Sequence, residues 1–195
     1  KVSGLSKNTI LFILGDHGHP MGEHHDNYIE QRYLYEENLK VPLLIYAEGR
    51  IKTPKVIQEV TSQLDLLPTV MDMLNLKGFN HSKGETLLRK SSDRQVFFHN
   101  PYVYQFYGTR KNSYKLIYMR STKEVELYDL ALDPEEQNNI AKEFPCVVEK
   151  HLKEDKNYIL SEKKGDTPNP RFIWHPDSGH LIYVEGITIN IVEYD

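Results

Sequence analysis

Two architectures in series are predicted: an α/β layer over residues 1–76, then a small antiparallel β-sheet with a terminal helix over residues 94–162. Three observations carry this. Residues 10–14, Ile-Leu-Phe-Ile-Leu, are an unbroken apolar run that stops at Gly15 and gives way to Asp16 and His17. Such a run reads as a strand buried on both faces, as in a parallel α/β sheet. Leu67, Val70, Met71 and Leu74 recur at helical spacing and supply a core-facing stripe. From Gln95 the pattern changes to short alternating runs separated by turn residues, which is the signature of an antiparallel sheet.

Composition narrows the function classes. The 195 residues are 39% hydrophobic and 27% charged, an ordinary globular balance that allows one or two domains. A net charge of −4 gives no electrostatic case for nucleic acid or an anionic membrane surface. No apolar run approaches the roughly 20 residues of a membrane-spanning helix, and residues 1–20 lack a secretory leader's basic start and cleavage site. The single cysteine, Cys146, excludes an intrachain disulfide framework and reads as a small buried or partly buried residue. One sequon, Asn80-His81-Ser82, would permit glycosylation in a secreted protein.

Taken in order, Gly4 suits the C-cap of a helix end. Residues 9–15 form the buried strand, and a polar loop carrying His19, His24 and His25 follows. Histidine clusters of this kind bind metal in some loops and are merely solvated in more of them. Residues 28–38 suggest a short helix ending at Asn38, and residues 42–46 the next strand. Asp65 is placed to cap the next helix, with Pro68 in its first turn, where a missing N–H costs little. Residues 77–93 read as a long surface linker. The runs 96–99, 103–109, 114–119 and 124–129 are the strands of the second sheet. Asp133 and Pro134 suit the first positions of a helix. Residues 143–162 are the longest helical stretch, with Phe144, Val147, Val148, His151, Leu152 and Tyr158 on its inner face. Residues 163–170 are a linker, and 181–185 and 187–194 suit two strands.

The chemistry centres on Asp16-His17-Gly18. Ligands of open α/β sheets bind beyond the carboxyl ends of strands, which is where this tripeptide falls. A carboxylate beside an imidazole suits a divalent cation, although the tripeptide alone reads more often as a plain turn. The text that follows changes the balance. Met21-Gly22-Glu23-His24, then Asn38-Leu39-Lys40-Val41-Pro42-Leu43-Leu44-Ile45-Tyr46, resembles the sulfatase family of the alkaline phosphatase superfamily. The likeness continues through 62–69 and 126–139 and spans roughly residues 5–160. Within it, Gly84-Glu85-Thr86-Leu87-Leu88 is similar to the family's step between domains, and Glu126-Leu127-Tyr128-Asp129-Leu130 to its C-terminal meander.

The resemblance implies an alkaline-phosphatase-like α/β sandwich, of which residues 1–76 are the C-terminal portion, with 94–162 as the C-terminal subdomain and 163–195 unassigned. In that family the strand equivalent to residues 9–15 comes late, so the missing N-terminal part of the same protein is the implied partner. The implied reaction is hydrolysis of a sulfate ester on one divalent metal ion: calcium first, manganese or zinc in phosphoryl-transfer relatives. Asp16 and His17 are the implied metal ligands, His24 a group touching substrate or leaving group, and formylglycine the nucleophile, upstream of this chain. Cys146 does not match the Cys-x-Pro-Ser-Arg pattern that yields it. The lysine that many members place ten residues before the Val-Pro strand is Gln31 here, with Arg32 beside it as the candidate oxyanion contact. The family implies a secretory, lysosomal or extracellular setting. A phosphodiesterase or phosphotransferase on the same fold, and an inactive structural subunit, are the alternatives.

Overall fold

The computed structural model describes residues 5–29, 33–77, 83–89, 93–100, 105–163 and 187–190. After a 3-10 turn at Leu5–Asn8 come β1 (Leu11–Leu14), α1 (Glu36–Leu39), β2 (Val41–Tyr46) and β3 (Val56–Ile57). A second 3-10 turn, Gln63–Asp65, runs directly into α2 (Leu66–Met73). Strands β4 (Gln95–Asn100), β5 (Phe106–Lys111), β6 (Tyr114–Met119) and β7 (Glu124–Asp129) follow, then α3 (Pro145–Lys163) and β8 (Ile187–Asn190).

Two sheets result, ordered β1-β2-β8-β3 and β4-β5-β6-β7. The second is the antiparallel meander that the alternating runs predict. Its central hairpin pairs Lys111 with Tyr114 across a two-residue loop, and Asn112 takes the positive φ of 54° that such a loop requires. One apolar core joins the two halves. Val41, Leu43 and Ile45 project from one face of β2 at the two-residue period of a strand. They meet Leu34, Tyr35 and Leu39 around α1, and Phe98, Phe106, Ile117 and Tyr128 from the second sheet.

Several expectations are corrected. β1 is not a strand of a parallel sheet buried on both faces: it pairs antiparallel with β2, Leu11 opposite Tyr46 and Leu14 opposite Leu43. Among the described residues it has a neighbour on one side only, and Leu11 and Ile13 face outwards while Phe12 and Leu14 pack inwards. Of the helix expected over 28–38, the described residues form the single turn Glu36–Leu39, and residues 30–32 lie outside the described residues; the aromatic side chains Tyr33 and Tyr35 pack individually against His25, Phe106 and Tyr128 instead of lining a helical face.

α2 buries a stripe one position away from the expected one. Leu66, Thr69 and Met73 turn inwards, while Leu67 and Leu74 are exposed. The shift arises because the helix is entered through the 3-10 turn, so the true cap is Ser62. Its hydroxyl accepts from Leu64 N, and its own N–H donates to the Asp65 carboxylate. Asp65 therefore caps nothing by itself and serves as an anchor. The stretch 83–89 is likewise more than a surface linker. Leu87 is buried and its N–H donates to Thr69 Oγ1, and Gly84 lies so close to the Leu64 carbonyl that any side chain would collide with it.

Asp133 caps a turn and not a helix, its two oxygens accepting from Gln137 N and Asn138 N. The helix begins only at Pro145. Its inner face includes buried His151 with half-buried Val147, Val148 and Leu152, but Phe144 is 40% exposed and Cys146 is exposed. The side chain of Tyr158, the sequon at Asn80, and most of residues 163–195 lie outside the described residues.

Candidate functional site

The site is built where β1 ends. Gly15 N–H still donates to the Pro42 carbonyl across the sheet, and then the chain turns. Gly18 makes that turn possible through close approach, not through an unusual φ. Its N–H donates to the Asn38 carbonyl at 2.9 Å, and a Cβ there would run into the Glu37 carbonyl. The turn is thereby pinned against α1.

Asp16 and His17 are brought together at its tip. The Asp16 side chain is 90% exposed, with Oδ1 accepting from His17 N–H at 3.0 Å and Oδ2 3.7 Å from His17 Nε2. His17 Nδ1 lies 2.7 Å from the Gly18 carbonyl oxygen. A carbonyl only accepts, so Nδ1 carries the hydrogen and, in the neutral ring, Nε2 presents its lone pair beside the carboxylate. An imidazole oriented through its other nitrogen by a backbone carbonyl is the usual arrangement of a metal-binding histidine. The pair therefore fits a divalent cation as two donors of a shell. Among the described residues no group of three or more His, Cys, Asp or Glu side chains is arranged to hold a metal ion.

His24 is placed differently. The loop before it turns at Gly22, φ +97°, where Gly22 N–H donates to the Asn27 carbonyl. Its ring stacks on Tyr35, centroids 3.9 Å apart and planes 6° from parallel. Nδ1 donates to Glu37 Oε1 at 2.7 Å and Nε2 to the Glu136 carbonyl at 3.1 Å. Both nitrogens are thus committed to protein partners on opposite sides of the ring, one on α1 and one beyond β7. His25 Nε2 meets Tyr35 Oη at 3.0 Å, and His19 is exposed. Arg32 and Gln31 lie outside the described residues.

The Glu37 carboxylate and the Glu136 carbonyl both accept, so a ring that faces them with its two nitrogens is favoured in its charged form. Burial opposes that charge, but the Glu37 hydrogen bond, the Glu136 carbonyl and the two nearby carboxylates outweigh it, so the His24 pKa is raised above its ordinary 6.5. A histidine raised on folding stabilises the folded state fully below its unfolded pKa, and that contribution is lost as pH rises through the folded value. His24→Gln in the full-length protein is expected to remove this pH-dependent stabilisation. Thermal denaturation followed from pH 5.5 upward (the window set by a pKa above about 6.5) should show the wild-type and variant curves converging at the alkaline end. Parallel curves would contradict the assignment.

Sequence reasoning did not find the ionic cluster beneath this loop. Lys115 Nζ, fully buried on β6, lies 3.0 Å from Glu36 Oε1 and 2.8 Å from Glu136 Oε1. The contact with Glu136 is an ion pair whose angle falls outside hydrogen-bond geometry, so charge alone holds that oxygen. Glu136 Oε2 accepts from Glu36 N–H at 2.6 Å, and Arg110 reaches Glu36 Oε2 at 3.3 Å. Burial pushes both carboxyls up. At Glu36 the Lys115 and Arg110 charges reverse this and hold the pKa low, whereas Glu136, also facing Glu36, stays raised. Burial likewise pushes up the phenols of Tyr35 and Tyr128, which share Glu126 as acceptor. A lysine inside an apolar strand was the visible signal for the cluster. Gln63, whose side chain reaches the β1 turn, carried none.

This arrangement of an α/β layer joined through one core to an antiparallel meander is shared with solved sulfatases. Residues 22–160 match the family described as N-sulphoglucosamine sulphohydrolase, C-terminal, and the chain belongs to that family. Arylsulfatase K of Mus musculus is 32% identical over 162 residues, covering 74% of this chain and 29% of that protein. N-acetylglucosamine-6-O-sulfatase of Bacteroides thetaiotaomicron is 29% identical over 149 residues, covering 68% and 26%. The crystal structure of a putative sulfatase from Bacteroides thetaiotaomicron superposes with a TM-score of 0.71 at 27% identity, covering 87% of this chain and 41% of that one. The chain spans under a third of the length of these curated relatives.

Proposed function

We propose that the protein is a metal-dependent hydrolase of sulfate esters, in which residues 5–76 contribute part of the catalytic α/β layer and one end of the metal shell. The observation that carries this reading is the Asp16–His17 turn, where a solvent-facing carboxylate stands beside an imidazole whose tautomer is fixed by the Gly18 carbonyl. Membership of a family whose relatives are named sulfatases supports it.

A bound divalent ion, calcium or a transition metal given the nitrogen donor, would offset charge on the transferring sulfate group. This chain's part is to hold Asp16 Oδ2 and His17 Nε2 on one side of a rigid turn. The remaining ligands and a formylglycine nucleophile belong, in this reading, to the segment preceding β1 in the relatives, and Arg32 is the proposed sulfate contact. His24 enters as a positioning residue. With both ring nitrogens engaged it ties the loop 22–27 to α1 and to residue 136, and it does not itself touch substrate. A secretory or extracellular setting with a glycan at Asn80 accords with this assignment.

Asp16→Ala in the full-length protein is expected to abolish both metal binding, read by calorimetric titration, and turnover of an aryl sulfate. Unchanged metal affinity in that variant would overturn the assignment of the site. Peptide mapping of the purified protein should also reveal formylglycine in a Cys-x-Pro-Ser-Arg peptide. Its absence together with absent turnover would favour a non-catalytic sulfatase-like subunit.

A further inference from the structure

Two consecutive backbone carbonyls, those of Gly15 and Asp16, lie at the point where β1 leaves its sheet. In an extended strand successive carbonyls point to opposite sides, so no single donor reaches both. Here one does. Gln63 Nε2 lies 3.0 Å from the Gly15 oxygen and 3.0 Å from the Asp16 oxygen. Both partners only accept, which dictates the orientation of the amide, and its nitrogen carries two hydrogens, one for each carbonyl. Such a bridge forms only when the chain has already turned, so it favours the turned conformation over the extended one.

The donor is itself held firmly. Gln63 is the first residue of the 3-10 turn capped by Ser62, and the cap is closed by the fully buried Asp65 carboxylate. Asp65 in turn receives the Arg94 guanidinium and Glu85 N–H. The Asp16 side chain, by contrast, is almost entirely exposed, and the hydrogen bond it accepts comes from the N–H of His17 within the same turn. Its direction therefore follows the backbone of the turn, which is held by Gly15 N–H on Pro42, Gly18 N–H on Asn38 and the Gln63 bridge among its contacts. The first two come from the same sheet and its adjoining helix. The third is the only one of these that reaches the carbonyl of Asp16 itself.

We propose that Gln63 is a positioning residue for a divalent metal ion bound by Asp16 and His17, acting by clamping the Gly15 and Asp16 carbonyls so that the two side chains converge. The inference rests on the reading of that turn as a metal site, and the experiment separates the two. Divalent metal, manganese and calcium in parallel, is titrated into chelator-stripped full-length protein by calorimetry. The proteins compared are wild type, Asp16→Ala, Gln63→Met and Gln63→Glu, and the melting temperature of each metal-free protein is recorded alongside.

Gln63→Met keeps the length of the side chain and removes both donors, and its metal affinity should fall about 10- to 100-fold, the usual effect of removing an outer-shell partner. Gln63→Glu, which sets a carboxylate against two carbonyls, should lose at least as much, and it replaces the Met variant if that one fails to fold. The metal-free melting temperature should move little in either. Retained binding in Asp16→Ala overturns the site itself. Lost binding in Asp16→Ala with affinity in both Gln63 variants within about twofold of wild type, well short of the outer-shell effect, overturns the positioning role alone. A lowered metal-free melting temperature with unmoved affinity also overturns it, because it marks Gln63 as merely structural.

Discussion

Lys115→Met is expected to destabilise the folded protein by about 3–5 kcal/mol at neutral pH, the usual result of removing one partner from a buried ion pair. The magnitude follows from what is left behind. Lys115 Nζ is the shared cation of Glu36 and Glu136, and it is fully buried, as is the Glu136 carboxylate. Methionine fills most of the lysine's volume, so the loss is one of charge and not of packing. Arg110 remains on Glu36, but among the described residues no second lysine or arginine is paired with Glu136.

The pH dependence makes the expectation specific. Burial already raises the Glu136 carboxyl, and removing Lys115 raises it further. A carboxyl raised on folding favours the folded state at low pH, and that advantage is lost as pH rises through the folded value. The deficit of the variant should therefore shrink as pH is lowered from 7 towards the ordinary carboxylate range near 4.5. Adding Glu136→Gln should recover part of the stability at pH 7, since the orphaned charge is then gone. Chemical denaturation across pH would check both statements. A deficit under about 1 kcal/mol, the range of exposed pairs, or one independent of pH, would show that the cluster is not the clamp its geometry describes.

This cluster also shows where the sequence was legible and where it was not. The second sheet could be read because its signal is local: alternation within runs and turn residues between them, and β4, β6 and β7 follow those runs closely while β5, expected over 103–109, runs from Phe106 to Lys111. The Asp16–His17 turn could be located because an apolar run ends abruptly in polar residues beside glycines. The environment of β1 was misread because an apolar run reports hydrophobicity without saying which faces are covered, and Leu11 and Ile13 are exposed while their neighbours are not.

His24, Lys115 and Gln63 escape local reading for a different reason. Each acts on a group far away along the chain, His24 on residue 136, Lys115 on residue 36 and Gln63 on residues 15 and 16. Such pairings are created by topology, and no periodicity encodes them. Asp65 is the intermediate case. Its position before a helix identifies it as a helix-start residue, but the 3-10 entry transfers the capping role to Ser62 and frees the carboxylate for contacts 20 and 29 residues further on.

Asp65→Ala is accordingly expected to be as damaging as the loss of Lys115, about 3–5 kcal/mol by the same reasoning about buried pairs. The fully buried carboxylate accepts from Ser62 N at 2.8 Å, Glu85 N at 2.8 Å and Arg94 Nη2 at 2.6 Å, with Arg94 Nη1 on its second oxygen. Alanine would take the Asp65 carboxylate away from a guanidinium that is only 8% exposed and from the N–H groups of Ser62 and Glu85. Removing both ends of the pair, as in Asp65→Leu with Arg94→Met, should cost less than Asp65→Ala alone, because the uncompensated charge then disappears.

The variant should also reach the candidate site, since Asp65 closes the cap of the turn from which Gln63 extends. Metal affinity in Asp65→Ala should fall together with stability, and adding Gln63→Met to it should cost less affinity than Gln63→Met costs in the wild type. That shortfall is what a shared path from Arg94 through Asp65 to the Asp16 carbonyl requires. Equal losses of metal affinity in the two backgrounds would mean that Gln63 holds its place without Asp65, and that the second sheet stabilises the protein without setting the geometry of the β1 turn.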